Sequence, residues 1–243
     1  MASARELLFR FGVLEPSEYL DEMLALGGEQ ATNLLRNLGN AELARMSRSD
    51  LRAVAMLRVR GALYATRVDA QIRKATKGQR RLDPIIVGLI KEARDALKAV
   101  PASVFVDKLR SVLGPDAERE FDSLVVRGQP VELPAEALGP CFPTIKMRYP
   151  IEAAGFDPDG TLASPERRVT GLAADGAAAK AGLLAQEVVS QIRAPSVATK
   201  GKMEVVVVRD GKEVTIAFSP YAGFVAGQGW KRDPQVKDDK CLL

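Results

Sequence analysis

The sequence predicts an α+β protein in several parts: an antiparallel helical bundle over residues 1–128, then a β-rich module over 151–220. Three observations carry this. Apolar residues before Gly128 recur at three- and four-residue steps between capped turns. Pro130, Pro134, Pro140, Pro143 and Pro150 then punctuate a stretch that cannot stay helical. Beyond it the apolar runs are short, β-branched and bounded by turn residues. At 243 residues, 47% hydrophobic and 27% charged, the chain is long enough for more than one core.

Taken in order, Pro16 and Ser17 open a helix carrying Leu20, Met23 and Leu24, which Gly27 and Gly28 should stop. A second short helix presents Leu34, Leu35 and Leu38 before Gly39 and Asn40. From Ser49 or Asp50 a longer helix places Val54, Leu57, Gly61, Tyr64, Val68 and Ile72 on one stripe that faces a core. Asp83 as N-cap and Pro84 at the first helical position begin another, with Ile85, Ile86, Leu89, Ile90, Ala93 and Leu97 continuing the pattern. Phe105, Leu109 and Val112 lead to Gly114, and Phe121, Leu124 and Val125 lead to Gly128, for five or six helices in all. Residues 129–150 read as a proline-rich linker. Strands are expected at 168–172, 188–192, 203–208 and 214–218, the last two joined by a two-residue turn at Asp210 and Gly211. An alanine-rich helix over 177–183 lies between the first two strands. Residues 221–243 read as an extended tail that Trp230 anchors on the sheet of the β-rich module.

Composition excludes several chemistries. There is no histidine, so no Ser-His or Cys-His nucleophile pair, His-ligated zinc or imidazole proton shuttle can be built. Two cysteines, Cys141 and Cys241, allow one disulfide but no four-ligand zinc cage. A net charge of +4 is too small to imply a nucleic-acid surface by itself, and no run approaches the roughly 20 apolar residues of a membrane span. The first ten residues are charged within their apolar run, unlike a signal peptide, so the chain is expected to be cytosolic or to have its natural start upstream.

The order strand, alanine-rich helix, strand, hairpin, with Ala177-Ala178-Ala179-Lys180-Ala181-Gly182-Leu183 as the helix, resembles a PDZ domain. Gln186 and Glu187 stand where that family usually carries Gly-Asp. In the first half, Arg60-Gly61-Ala62-Leu63, Val68-Asp69, Ile72-Arg73, Thr76-Lys77-Gly78 and Arg81-Leu82-Asp83 resemble landmarks of the glycyl aminopeptidase family of gluzincin metallopeptidases. Leu133-Pro134, Leu138-Gly139, Cys141, Ala154-Gly155-Phe156 and Trp230 continue the resemblance in order along nearly the whole chain. In that family zinc is held by a His-Glu-x-x-His helix and a later glutamate, in a thermolysin-like domain preceding the helical segment. This chain has neither that motif nor the tyrosine of Tyr-x-Lys-Gly, where Arg58 stands instead.

The resemblance therefore implies the helical and PDZ portions of such a peptidase without the zinc-binding domain. Two functions follow: a non-catalytic peptide-binding or protein-interaction module, or the C-terminal piece of an active enzyme whose upstream catalytic domain it completes. No cofactor is expected in this chain, zinc belonging only to a full-length parent. If the chain is part of an exported peptidase, as the resemblance allows, its location is periplasmic or secreted. Cys141 and Cys241, opening the module and closing the tail, are expected within bonding reach in such an oxidising compartment.

Residues Ala153, Ala154, Gly155 and Phe156 stand where a PDZ domain has its carboxylate-binding loop, in which successive backbone N–H groups converge on a peptide's C-terminus. A peptide or protein C-terminus is the expected partner, laid as a strand beside the segment after Phe156, with its last side chain against Ala178, Lys180 and Ala181. Pro158 argues against that strand, since it withholds an N–H. Arg58, Arg60, Arg67, Arg73, Lys74, Lys77, Arg80 and Arg81, with Asp69 the one acid among them, read as a solvated helix face rather than a nucleic-acid site, because no aromatic residues interleave to stack bases. No serine and buried lysine pair is identifiable, so no catalytic residue is assigned.

Overall fold

The computed structural model describes residues 2–195 and 201–241. It is α+β, with helices α1 (Ala2–Arg10), α2 (Pro16–Thr32), α3 (Asn40–Met46), α4 (Leu51–Ala75), α5 (Asp83–Ala96), α6 (Ala102–Leu113) and α7 (Asp116–Phe121), the last running into a π-helical turn at Asp122–Val126. Strand β1 (Thr144–Glu152) follows, then α8 (Pro158–Ala163), α9 (Ala177–Lys180), β2 (Val189–Arg193), β3 (Met203–Arg209), β4 (Lys212–Phe218) and β5 (Tyr221–Trp230). The residues group into two compact units, Met1–Tyr149 with Ala226–Leu243, and Pro150–Val225.

In the first unit α4 is the axis. Asp50 caps it by accepting a bond from the Arg52 N–H, and its buried positions begin as a stripe of Ala53, Met56 and Val59. From Arg60 to Ile72 the burial widens to most of the circumference, including Leu63, Tyr64, Val68 and Asp69. The expected stripe is therefore rotated at its start, since Val54 is exposed. A helix covered nearly all round gains from every neighbour, which is why 25 residues remain one element without a break.

Three expectations fail here for identifiable reasons. Gly27 and Gly28 do not stop α2, which continues to Thr32. They are contact residues, because a Cβ on Gly27 would come within 2.6 Å of the Tyr149 hydroxyl and 3.0 Å of the Gln228 carbonyl oxygen. Residues 34–38 form turns, not a helix, and Leu34 is exposed. The segment 129–143 is part of the core instead of a linker, with Val131, Leu133, Ala137, Leu138, Cys141 and Phe142 buried.

Proline rules out helix in this segment but not burial, and side chains supply the missing backbone partners. Gln30 donates to the Val131 carbonyl (3.0 Å) and accepts from its N–H (2.9 Å). Gln228 does the same at Leu133, accepting at 2.7 Å and donating at 2.8 Å. Each amide mimics one rung of a β-ladder on alternate residues. Phe142 then joins Phe9 and Tyr19, whose rings stack at 4.3 Å.

The expected extended tail also belongs to this unit from Ala226 onward, beginning with the end of β5, which pairs with β1. Trp230 is buried in the helical unit's core, so it does not anchor on the β-rich module. Cys141 and Cys241 are both fully buried and joined, with their Cα atoms 5.1 Å apart across 100 residues of sequence.

Arg60 is 1% exposed and yet pairs with no acid among the described residues. Its guanidinium donates to Asn40 Oδ1 (2.7 Å), the Arg36 carbonyl (2.9 Å) and the Gly128 carbonyl (3.4 Å), tying α4 to the start of α3 and the end of the π-helical turn. Burial pulls its pKa below the ordinary arginine value. Replacing Arg60 with Met roughly keeps the volume but removes all three bonds and leaves the buried Gly128 carbonyl unbonded. Unfolding in urea should then show a loss on the order of 3 kcal/mol; an unchanged midpoint would mean that the guanidinium contributes nothing net.

The second unit is a three-stranded antiparallel sheet in the order β2-β3-β4. Val205 pairs with Ile216 and Val207 with Val214, and the β3–β4 hairpin closes through Asp210 and Gly211, both at positive φ (51° and 73°) as a two-residue turn of this kind requires. The expected strand at 168–172 reduces to isolated bridges, Arg168 with Val188 and Thr170 with Asp157. Phe156, Val169, Ala178, Leu183, Val189, Ile216 and Phe218 fill the core, with the rings of Phe156 and Phe218 edge to face at 6.4 Å. This unit runs from Pro150 to Val225, somewhat wider than the expected 151–220.

Candidate peptide-binding site

The second unit contains a cavity of about 460 Å³ walled by Ala153, Ala154, Gly155, Phe156, Gly171, Ala173, Pro195, Met203 and Pro220, with Glu152 and Pro158 at its edge. The turn 153–156 contributes four of these lining residues. Ala153 donates to the Pro220 carbonyl (2.6 Å), the Ala154 carbonyl accepts from the Ala178 N–H (3.1 Å), and the Gly155 carbonyl accepts from the Ala173 N–H (2.8 Å). Gly155 has φ +80°, and a Cβ there would meet Gly176 Cα at 2.8 Å and Ala177 N at 2.9 Å. Only glycine fits both the backbone and the space. Phe156 turns its side chain into the core, which fixes the far end of the loop.

With the carbonyls turned inward to those partners, the N–H groups of Ala154, Gly155 and Phe156 donate to no acceptor among the described residues. These three residues also line the cavity, which makes their N–H groups candidates to meet an oxyanion there.

The sequence-predicted site residues divide. Ala153, Ala154, Gly155 and Phe156 line the cavity, and Ala178, fully buried, holds the loop through its N–H. Lys180 and Ala181 do not line it. Met203, at the start of β3, and Pro195 and Pro220 line it as well, residues far apart in sequence that carry no local signal of a shared site. No strand follows Phe156 either: Asp157 accepts from the Gly160 N–H at 2.9 Å and caps α8, which starts at Pro158. Strand addition at that point has no edge to use.

The cationic run divides: Arg58, Lys74, Lys77 and Arg80 are exposed as expected, whereas Arg60, Arg67, Arg73 and Arg81 are committed to internal bonds. Arg60 is buried as described. Arg67 bonds Glu120 through Nε (2.8 Å) and Nη2 (3.1 Å) and also the Glu132 carbonyl. Burial would raise the Glu120 carboxyl pKa, but the bonds from Arg67 and Gln71 outweigh it and hold it below the usual range. Asp69 accepts from Arg73 (2.8 Å), Arg81 (3.3 Å) and the Leu82 N–H (3.0 Å), and Lys74 pairs with Glu136 at 2.9 Å.

No family model matches the chain, and no curated protein does. Among solved structures it is similar to the crystal structure of an aminopeptidase N family protein from Idiomarina loihiensis, with a TM-score of 0.51 and 15% sequence identity. The match covers 98% of this chain and 46% of that one, so the chain shares its fold with about half of that protein. Among the described residues no three His, Cys, Asp or Glu side chains are grouped to hold a metal, and both cysteines are bonded to each other. No helix among the described residues is long and apolar enough to cross a membrane.

Proposed function

We propose that this chain is a non-catalytic, PDZ-like peptide-binding module joined to an aminopeptidase-type helical unit, and that it captures the carboxylate of a peptide or protein C-terminus. The observation that carries this is the set of free amides of 154–156 on the wall of the 460 Å³ cavity. The peptide's carboxylate takes those N–H groups, and its last side chain lies against Met203, Pro195 and Pro220. Capture is by the carboxylate and one side chain, not by an added strand, so few contacts offset the ordering of the peptide. Affinity is expected near the micromolar range, about −8 kcal/mol.

The test is a titration of peptides with free and amidated C-termini, followed by backbone amide shifts. Shifts at 153–156 and at Met203 should appear with the free acid and weaken at least about tenfold with the amide, which lacks the charge the nest selects. Absence of shifts at millimolar peptide would leave the module a scaffold.

A second reading is favoured by the coverage of the solved neighbour, about half of which has no counterpart here. On that reading the chain is the C-terminal part of a zinc aminopeptidase, and an upstream catalytic domain is its partner. The genomic sequence upstream of Met1 decides it: an in-frame His-Glu-x-x-His supports this reading, and its absence from the gene removes it.

A further inference from the structure

The connection between α5 and α6 is built unlike a solvent loop. Residues 96–101 read Ala-Leu-Lys-Ala-Val-Pro, with Lys98 the one polar side chain, whereas exposed turns are ordinarily made of Gly, Asn, Asp and Ser. Leu97 ends α5 at φ 50°, a left-handed position that glycine or asparagine takes at little cost. It is also 91% exposed. Neither backbone preference nor packing within the described residues accounts for a leucine there.

Ile86, Ile90 and Ala93 follow one another at steps of four and three residues and so share one face of α5, and Leu97 caps the end of that helix. Ile86 is 38% and Ile90 62% exposed. Lys91, Arg94 and Lys98 are exposed beside this row. Of the acids near them, Glu92 is bonded to Lys108 at 2.6 Å, and Asp95 pairs with Arg94 at 3.2 Å. Residues 74–98 hold seven Lys and Arg against three Asp and Glu, as large a surplus as the whole chain's +4.

We propose that the α5–α6 tip docks on an anionic lipid surface, with Ile90 and Leu97 entering the headgroup boundary and Lys91, Arg94 and Lys98 meeting the phosphates. An apolar row rimmed by cations is the pattern of a helix that lies on a bilayer instead of spanning it. A second copy suits the face less well. In a symmetric antiparallel pair each flank meets the same flank of its partner, which sets Lys91 and Arg94 against their own copies. The row also carries no amide or hydroxyl to fix the orientation of a folded partner, and a fluid charged surface needs none.

The experiment is co-sedimentation of the full chain with phosphatidylcholine vesicles, with and without phosphatidylserine, at low and high salt. Binding should require phosphatidylserine, fall with salt, and weaken about fivefold for each of Lys91→Glu and Lys98→Glu. Leu97→Asn is the decisive variant, because asparagine suits the left-handed cap and keeps the fold. Its thermal midpoint should be equal or higher, while vesicle binding drops roughly tenfold. Equal binding to neutral vesicles, or binding that Leu97→Asn and Lys98→Glu leave unchanged, would overturn the proposal. So would a chain that stays in the supernatant with both vesicles, the outcome expected if an acidic protein covers this face.

Discussion

Removing the Cys141–Cys241 bond is expected to lower the stability of the helical unit by about 4–5 kcal/mol. The bond closes a loop of 100 residues in sequence, and in the chain-entropy treatment a loop of that length restricts the unfolded ensemble by about this much. Both cysteines are fully buried in the helical unit, where Cys141 also accepts, through its carbonyl, the Asp233 N–H at 2.8 Å. The bond thus fixes the end of the chain on the segment 129–143. Cys141→Ser and Cys241→Ser should each show the loss in urea unfolding, and the wild type with reductant should match them once the sulfurs have been exposed. Reduction under native conditions should be slow, because neither sulfur meets solvent. Superimposable unfolding curves for wild type and variants would show that the loop is already constrained without the bond.

A comparable effect is expected from Glu6, in a test that depends on pH. Its side chain sits on α1 and is 7% exposed. Burial, with a further push from Asp69, raises its pKa from 4.5 to about 7, while Arg73 and Arg10 pull it down and Asp83 adds a smaller upward push. Arg10 is itself bonded to Asp83 at 2.6 Å, and Asp69 to Arg73 and Arg81, so the arginines around Glu6 have other carboxylates to serve. Tyr19, across from it on α2, has a buried hydroxyl without a partner among the described residues, and burial first and Glu6 second raise its pKa.

The sign follows from linkage. The native state binds the Glu6 proton more tightly than the unfolded chain does, so this group costs nothing below about pH 4.5. Stability is lost as pH rises through about 7, by about 3 kcal/mol in all. Glu6→Gln should therefore stabilise the protein by up to that amount at pH 8 and change little at pH 4. Urea unfolding of both proteins across this range measures it. A variant that is less stable at every pH would mean that Glu6 is held as a carboxylate by its arginines.

Much of the fold was legible because it is written in local periodicity and turn chemistry. The long α4 stripe, the proline at the start of α5, the glycine after α6 and the Asp210-Gly211 turn each specify backbone through a few adjacent residues. The expected loop at 153–156 was readable for the same reason, since Gly155 is the one residue there able to hold φ +80° against Gly176. The part played by Pro195, Met203 and Pro220 was not, because they reach the same cavity only after the chain has folded back on itself.

The sequence by itself determined which side-chain chemistries this chain lacks and where several of its regular elements run. It has no imidazole, its cysteines are two, and its hydrophobic spacing changes from helical to alternating after the prolines. The tertiary structure alone decided the use of residues whose local signals point elsewhere. Gly27 reads as a helix stop and serves as a contact for Tyr149; 129–143 reads as a linker and becomes core once Gln30 and Gln228 bond its backbone. Arg60 reads as a surface cation and is sealed among carbonyls. In each case the deciding energy comes from partners far away in sequence, and propensity, which sums over neighbours along the chain, carries no information about them.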